Sequence, residues 1–313
     1  MISVNLKINF IYEFRLLNIA IQKLPRNIYS MKFLIIIPLH NEEEYIISCL
    51  ESLEKQSYQD FDCILIDDGS TDKSGKIIEE FISKESKFQA KYSLFHLPES
   101  SYSPGSKVVL AFNEGVKKAD LKNYDVICKF DADIIFPASY LEELAKIYQN
   151  FPEVGMASGL VQIQNSDGKW IFESLSSKNH VRGPIKSYRK KCFEDIGGLR
   201  PVLGWDNIDV MLAEMHGWKV ATIKNLWVKH LRPTAFKYKK DGAKKMGEYF
   251  YNIGLDLPLA TLSAAKYSLR NSSFVTFFQI LNSFIHQQKK RALSSEEMKF
   301  IRRWRWKQIF RLK

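Results

Sequence analysis

Three short apolar runs in this chain each close on polar or acidic residues. Leu34 to Leu39 leads into His40-Asn41-Glu42, Cys63 to Ile66 into Asp67-Asp68-Gly69-Ser70-Thr71-Asp72, and Val126 to Phe130 into Asp131-Ala132-Asp133. A brief continuous apolar run ended by turn residues is the pattern of a strand buried on both faces of a parallel sheet. Between the runs the period changes to that of a helix. Ile46, Leu50 and Leu53 recur on one face, as do Ile77, Ile78, Phe81 and Ile82, then Val108, Val109, Phe112 and Val116, and finally Leu141, Leu144 and Tyr148. Tyr92 to Phe95 reads as one more short strand. Alternation of this kind predicts an α/β fold with a mostly parallel central sheet flanked by helices.

Past residue 154 the pattern is less regular. Met156 to Gln164 reads as a strand, Asn165 to Lys169 as a polar turn, and 173–190 as polar chain without a clear period. Gly197-Gly198 and Gly204-Trp205-Asp206 precede a helix striped by Ile208, Met211, Leu212 and Met215. Lys219 to Ile223 and Leu226 to Lys229 read as two short strands, the second ending at His230. From about residue 240 the chain reads as helical and increasingly basic. The organisation expected is an extension over 1–30, a main domain over 31–238 with halves 31–135 and 136–238, and a basic helical C-terminal appendage over 239–313.

In open α/β sheets ligands gather outside the carboxyl ends of the strands. The three runs therefore bring carboxylates from distant parts of the chain to one edge. Clustered carboxylates repel unless a cation or a donor-rich ligand joins them, so a site for a metal and a nucleotide is the first expectation. Two bland readings stand beside it. Asp131 and Asp133 could cap the helix near residue 138, and Asp206 with Asp209 imitates a capping box at the start of its helix.

Composition narrows the setting. The 313 residues, 45% hydrophobic and 26% charged, suit one large domain with appendages. Cys49, Cys63, Cys128 and Cys192 are far apart and form no CxxC pair, which points to buried reduced thiols in a cytoplasmic protein rather than a zinc site. The net charge of +11 is concentrated at the end of the chain, where Lys289 to Lys313 holds ten Lys/Arg against two Glu. Trp304, Trp306 and Phe310 are interleaved with Arg302, Arg303, Arg305 and Arg311. That mixture suits an anionic membrane surface, such as the inner face of the plasma membrane; nucleic acid and a solvated basic helix are the alternatives. Ile8 to Ile21 carries Glu13 and Arg15 and lacks a small-residue cleavage site, so it reads neither as a span nor as a signal peptide. Ser272 to Ile285 is too short to cross a bilayer and fits an interface or a core.

Taken together and in order, these motifs resemble a family 2 glycosyltransferase of the GT-A fold. The resemblance runs from Met31 to about His230 and rests on Ile35-Ile-Ile-Pro38-Leu-His-Asn41-Glu42, Asp67 to Asp72, Gly105-Ser-Lys107 with Asn113-Glu-Gly115, Asp131-Ala-Asp133, Gly197-Gly198 and Trp205-Asp206. It implies transfer of a sugar from a nucleotide diphosphate, a UDP-sugar, to a hydroxyl of a glycan or lipid-linked acceptor, with inversion and with Mg2+ or Mn2+. It also implies residue roles. Asp133 would ligate the metal, Asp131 would contact the ribose or the metal, and His230 would be a further ligand. Asp68 would accept the uracil N3–H, with Asp67 supporting its loop. Pro38, Asn41 and Glu42 would line the same pocket, and Lys107 would meet the diphosphate. Asp206, or second to it Asp209, would be the catalytic base, with the Trp205 indole as a sugar-binding wall. The family's usual acidic pair departs here to Trp205-Asp206, which leaves the choice between Asp206 and Asp209 open.

Rival classes fit less of the pattern. A nucleotidyltransferase would share the metal-nucleotide pocket but needs a basic Gly-rich loop where Pro38-Leu-His-Asn-Glu stands. A dehydrogenase needs GxGxxG at the same place, and a phosphatase with a nucleophilic first Asp would carry it earlier than Asp131. A membrane- or nucleic-acid-binding module explains the basic tail and leaves the acidic strand ends unexplained. The reading adopted expects no nucleic-acid partner.

Overall fold

The computed structural model describes residues 30–98, 106–173, 178–232 and 242–310. The extension before Ser30, Gly105 of the Gly-Ser-Lys motif, the boundary at 238 and the last three residues lie outside the described residues. The first half alternates strand and helix: β1 (Phe33–Leu39), α1 (Ile46–Glu54), β2 (Phe61–Asp68), α2 (Ser74–Ser83), α3 (Ser86–Lys91), β3 (Tyr92–Leu97), α4 (Lys107–Lys117) and β4 (Val126–Phe130). The second half holds β5 (Ile134–Ile135), α5 (Tyr140–Asn150), β6 (Val154–Gln164), β7 (Trp170–Phe172), β8 (Ile185–Arg189), α6 (Lys190–Asp195), α7 (Trp205–Met215) and β9 (Lys219–His230). Four helices follow, α8 (Gly242–Asn252), α9 (Leu257–Arg270), α10 (Phe274–Ile285) and α11 (Ser295–Phe310).

The strands form one sheet in the order β3-β2-β1-β4-β8-β6-β9-β5, with β7 on the flank of β6. It is parallel across β3, β2, β1 and β4, and mixed beyond, because β8 runs antiparallel to both β4 and β6. Two core layers cover it. Phe33, Ile35, Ile37 and Leu39 of β1 join one layer, and Leu34 and Ile36 join the other, as the two-residue period of a strand requires. The apolar stripes expected of α1, α2, α4 and α5 are the faces that are buried. All four cysteines are buried and free.

Two elements differ from the sequence reading. The stretch 173–190, which shows no period, contains β8, whose Lys186 and Ser187 are buried polar residues. The two strands expected over 219–229 are one, β9, which pairs in parallel with β6 through register shifts at both ends of Met156–Ser158. No helix among the described residues is long and apolar enough to cross a membrane.

The C-terminal helices are built into the body. Phe250, Ile253, Leu259, Ala264, Ile280, Phe284 and Ile301 belong to the same core layer as Leu34 and Ile36. Part of the basic tail is used for this attachment. Arg291 donates to the carbonyls of Tyr251 (2.9 Å) and Leu255 (3.0 Å), Arg302 donates to that of Gly254 (2.8 Å), and Trp304 and Trp306 pack on the core. Gly247 lets α8 and α10 touch, for a Cβ there would come within 2.4 Å of the Ile280 carbonyl oxygen. Gly247→Ala should cost about 1–3 kcal/mol by overpacking. Equilibrium denaturation followed by both sheet and helix signals checks this, and the two signals should shift together because the helices share a core layer with the sheet.

Candidate active site

The first two strand-end loops are tied to each other. Asn41, at φ 56°, takes the left-handed conformation that asparagine tolerates best after glycine. Its Oδ1 accepts from Thr71 N (2.8 Å) and Asp72 N (3.3 Å), while its own N donates to Ser70 Oγ (2.9 Å). Glu42 N donates to Ser74 Oγ (2.7 Å), and Glu43 N to Asp72 Oδ2 (3.1 Å). Asp67 accepts from Ser70 N (2.9 Å) and faces His96 Nδ1 (3.0 Å), so it shapes its own loop. Asp68 is buried at the end of β2, with Lys107 Nζ at 3.5 Å at the start of α4. Lys107 thus faces a carboxylate of the loop. Pro38 is buried within β1, beyond the point where pairing with β4 stops at Ile36.

The third strand end carries the densest charge. Ile134 pairs with His230 in the antiparallel β5–β9 register, and Leu231 N donates to the Asp133 carbonyl (2.9 Å). That register sets the His230 imidazole beside Asp133, with Nε2 at 3.3 Å from Oδ1. One ligand atom from each of Asp131, Asp133 and His230 lies within 4.8 Å of the other two. Cations surround these carboxylates. Lys129 pairs with Asp131, and Arg232 pairs with Glu42 and with Asp133 (3.1 Å). Burial opposes charge on His230, but the Asp133 and Glu173 carboxylates outweigh it and hold the imidazole up at about 9. Burial also lifts the Glu42 carboxyl to about 7 against the pull of Arg232. The helix near residue 138 begins at Tyr140 with Ser139 as its N-cap, so neither Asp131 nor Asp133 caps it.

Two carboxylates and an imidazole form a donor set that suits Mg2+ or, better, Mn2+ once the ion displaces the His230 proton. The residues present fit such an ion. His230 Nδ1 and Glu42 Oε2 are buried with no hydrogen-bond partner, and the Glu173 carboxylate stands 3.6 Å behind His230 Nδ1, where it would orient the ring.

Asp206 and Asp209 lie in different environments. Helix α7 starts at Trp205 after Gly204, whose φ of 95° makes it the cap. Asp206 is therefore inside the first turn, and no capping box forms. Asp209, 2% exposed, is gripped by the fully buried Lys186 with both oxygens at 2.7 Å, by Tyr188 OH (2.5 Å) and by Val210 N (2.7 Å). Lys186 also donates to the Asp206 main-chain carbonyl (2.6 Å), while the Asp206 side chain stays partly exposed. Trp205 is buried, with Lys129 and Lys186 each 5.4 Å from its ring centroid. It supports the site from beneath instead of forming the open wall expected from sequence. Gly183 packs against the Trp205 ring and Asp206, and its carbonyl accepts from Lys129 (3.4 Å). A chain of contacts, Asp131–Lys129–Trp205–Lys186–Asp206, buried at its three middle members, thus joins the acidic cluster to α7.

Residues 34–200 match the family described as Glycosyl transferase family 2. The chain belongs to that family. It is similar to Glycosyltransferase GlyG of Streptococcus pneumoniae serotype 4, 26% identical over 138 residues, which are 44% of this chain and 42% of GlyG. The chain therefore spans less than half the length of that relative. Among solved structures it resembles the mannosyltransferase PcManGT from Pyrobaculum calidifontis in complex with GDP-Man and Mn2+, with a TM-score of 0.57, 14% identity, and coverage of 93% of this chain and 92% of the other. It also resembles S. aureus TarS 1–349 in complex with UDP-GlcNAc, with a TM-score of 0.54, 19% identity, and coverage of 82% and 72%. At such identities the likeness establishes the fold, which is GT-A.

Sequence reasoning on this family 2 member passed over Lys129, Lys186 and Glu173. Their signal was present: a lysine inside the apolar run Val126–Phe130 has to find a buried anion, and Lys186 stands likewise beside Ile185 and Tyr188. Removing one partner of a buried ion pair strands the other charge, a cost of roughly 3–5 kcal/mol. Lys186→Met should therefore destabilise the protein by about that much, and Lys186→Met with Asp209→Leu should recover a substantial part. Urea unfolding of the two variants measures the difference.

Proposed function

We propose that this chain transfers a sugar from a UDP-sugar to an acceptor hydroxyl with inversion at the anomeric carbon, and that the acceptor is a glycan or a lipid-linked glycan. The observation that carries the reading is the Asp131, Asp133 and His230 cluster, joined through Lys129, Trp205 and Lys186 to the aspartate of α7. Asp131, Asp133 and His230 would hold a divalent cation. Such an ion neutralises the diphosphate as it leaves, which is the chemistry a metal supplies to this class of reaction. The roles assigned to protein groups follow from their surroundings. Asp68, buried beside Lys107 at the end of β2, is the acceptor for the uracil N3–H. Pro38, Asn41, Glu42 and Asp67 build the walls around it, and Arg232 places positive charge near the phosphates.

Asp206 is the base in this proposal. Its partly exposed side chain holds one long contact, accepting from Asn207 Nδ2 (3.4 Å), and can meet an acceptor, whereas both Asp209 oxygens are engaged by Lys186. As the acceptor oxygen bonds to the anomeric carbon, its proton passes to Asp206, and the electrons of the breaking glycosyl bond leave with the nucleoside diphosphate. Asp209 and Lys186 hold the backbone at that aspartate.

The wild-type chain should gain thermal stability from UDP only when Mn2+ is present, by about 2.7 kcal/mol at a hundredfold excess over Kd, and GDP should do less. Asp133→Ala should abolish the effect; a shift that survives intact would remove Asp133 as a ligand. Asp206→Asn should keep the UDP shift while nucleotide release in an acceptor assay falls about 10²–10⁴-fold. Near-normal turnover in that variant would remove Asp206 as the base.

A further inference from the structure

Helix α10 has a polar stripe of Thr276, Gln279, Asn282 and Ser283, but its wide apolar face is covered by the protein over only part of its width. Phe277, Ile280, Leu281 and Phe284, spaced as one helical stripe, face the body of the protein. Phe274, Val275, Phe278 and Ile285 face outward and are exposed. A helix with apolar residues on both faces is normally enclosed by protein or lipid. Helix α9 adds to the outward face with Leu262 and Leu269. The two helices meet in a tight turn over Asn271 to Ser273, made by Ser272 at φ 49° and closed by the Ser273 hydroxyl accepting from Thr276 N (3.3 Å). Leu269 and Phe274 flank this turn and are the most exposed large apolar side chains among the described residues, at 78% and 81%. Scattered apolar residues on a surface need no explanation, but a ridge of them on one hairpin does.

Along the segment that forms this ridge the charge has one sign. From Leu257 to Ser295 the chain contains no Asp or Glu and five Lys/Arg: Lys266, Arg270, Lys289, Lys290 and Arg291. Lys266 and Arg270 are one helical turn apart on α9, and burial, and then the Arg270 charge, lower the Lys266 ammonium to about 8. A protein partner fitted to such a ridge would have to supply both an apolar groove and a surplus of acid. An anionic bilayer offers both over any area, with phosphate headgroups above an acyl interior.

We propose that the α9–α10 hairpin docks on anionic phospholipid, with Leu269, Phe274, Val275 and Phe278 entering the headgroup boundary and Lys266 and Arg270 resting among the phosphates. This moves the membrane contact from the terminal basic segment, where Arg302, Trp304 and Trp306 are engaged with the body, to a hairpin about thirty residues earlier. The proposal does not rest on the donor site, and its failure would leave the transfer reading untouched.

The test is co-sedimentation of the full-length chain with vesicles of phosphatidylcholine alone and of phosphatidylcholine with 30 mol% phosphatidylglycerol. The unmodified protein should bind the mixed vesicles and be released by high salt. Phe274→Ser with Phe278→Ser should weaken binding by about tenfold or more, and so should Lys266→Glu with Arg270→Glu, since each buried apolar or basic side chain adds its own increment. Far-UV circular dichroism and the UDP-induced thermal shift should be unchanged in both variants. Arg303→Glu with Lys307→Glu, at exposed positions of α11, should leave binding within about twofold. Equal binding to both vesicle types, no binding to either, or loss confined to the α11 variant would overturn the proposal. So would a dimer seen by analytical ultracentrifugation that the Phe274/Phe278 variant breaks, because the ridge would then belong to a second copy of the chain.

Discussion

Like charges brought together in a poorly solvated place must be balanced, and this fold balances them from separate parts of the chain. Glu42, Asp131 and Asp133 end up side by side because β1 and β4 end at one edge. At a few ångströms, two carboxylates repel by about 4 kcal/mol even at an effective dielectric near 20. Lys129 from within β4, Arg232 just past β9, and His230 at the end of β9 answer that repulsion. None of these is near the others in sequence, apart from His230 and Arg232. The charge balance therefore exists only once β4, β5 and β9 have found their register, so the acidic edge and the sheet topology enforce each other.

The same requirement explains what could and could not be read from the chain. The donor-side strands were legible because they are buried on both faces and written in uninterrupted aliphatic residues, closed by turn-forming acids. Strand β8 was not, since half of its buried positions are polar: Lys186 and Ser187 find partners in Asp209, Tyr148 and the Ala157 carbonyl that only tertiary structure supplies. For the same reason the sequence, which ranks Asp206 ahead of Asp209, could not show how different their surroundings are, Asp209 held by Lys186 and Asp206 partly exposed. The division of β9 into two strands followed from Lys224-Asn225, a polar pair in mid-strand that lies near a register irregularity opposite β6. The carboxylates and the histidine of the acidic cluster were all legible, but their countercharges were largely not, because a buried lysine in a strand looks like a break in the apolar pattern and not like part of a site.

Trp205 connects the two halves of the site mechanically. Its ring lies against a lysine that balances the acidic cluster and against a lysine that fixes α7. Cation–ring contacts in buried settings are worth on the order of 2 kcal/mol, and here the indole also fills the space between them. The acidic cluster at one end and the start of α7 at the other are thereby held in fixed relation by packed side chains, with few rotatable bonds between them.

Gly204 shows where this arrangement can vary. It opens α7 in a left-handed conformation directly against Tyr249 of α8, leaving no room for even a methyl group. The start of the helix that bears Asp206 therefore rests on a helix drawn from beyond the segment shared with the family, which ends at residue 200. Sequence drift in that outer buttress can shift the start of α7, and Asp206 with it, by fractions of an ångström while the strand ends that carry Asp68, Asp131 and Asp133 stay as they were. Under the proposed transfer, a lineage of such chains can explore new acceptors without relearning how to hold the donor.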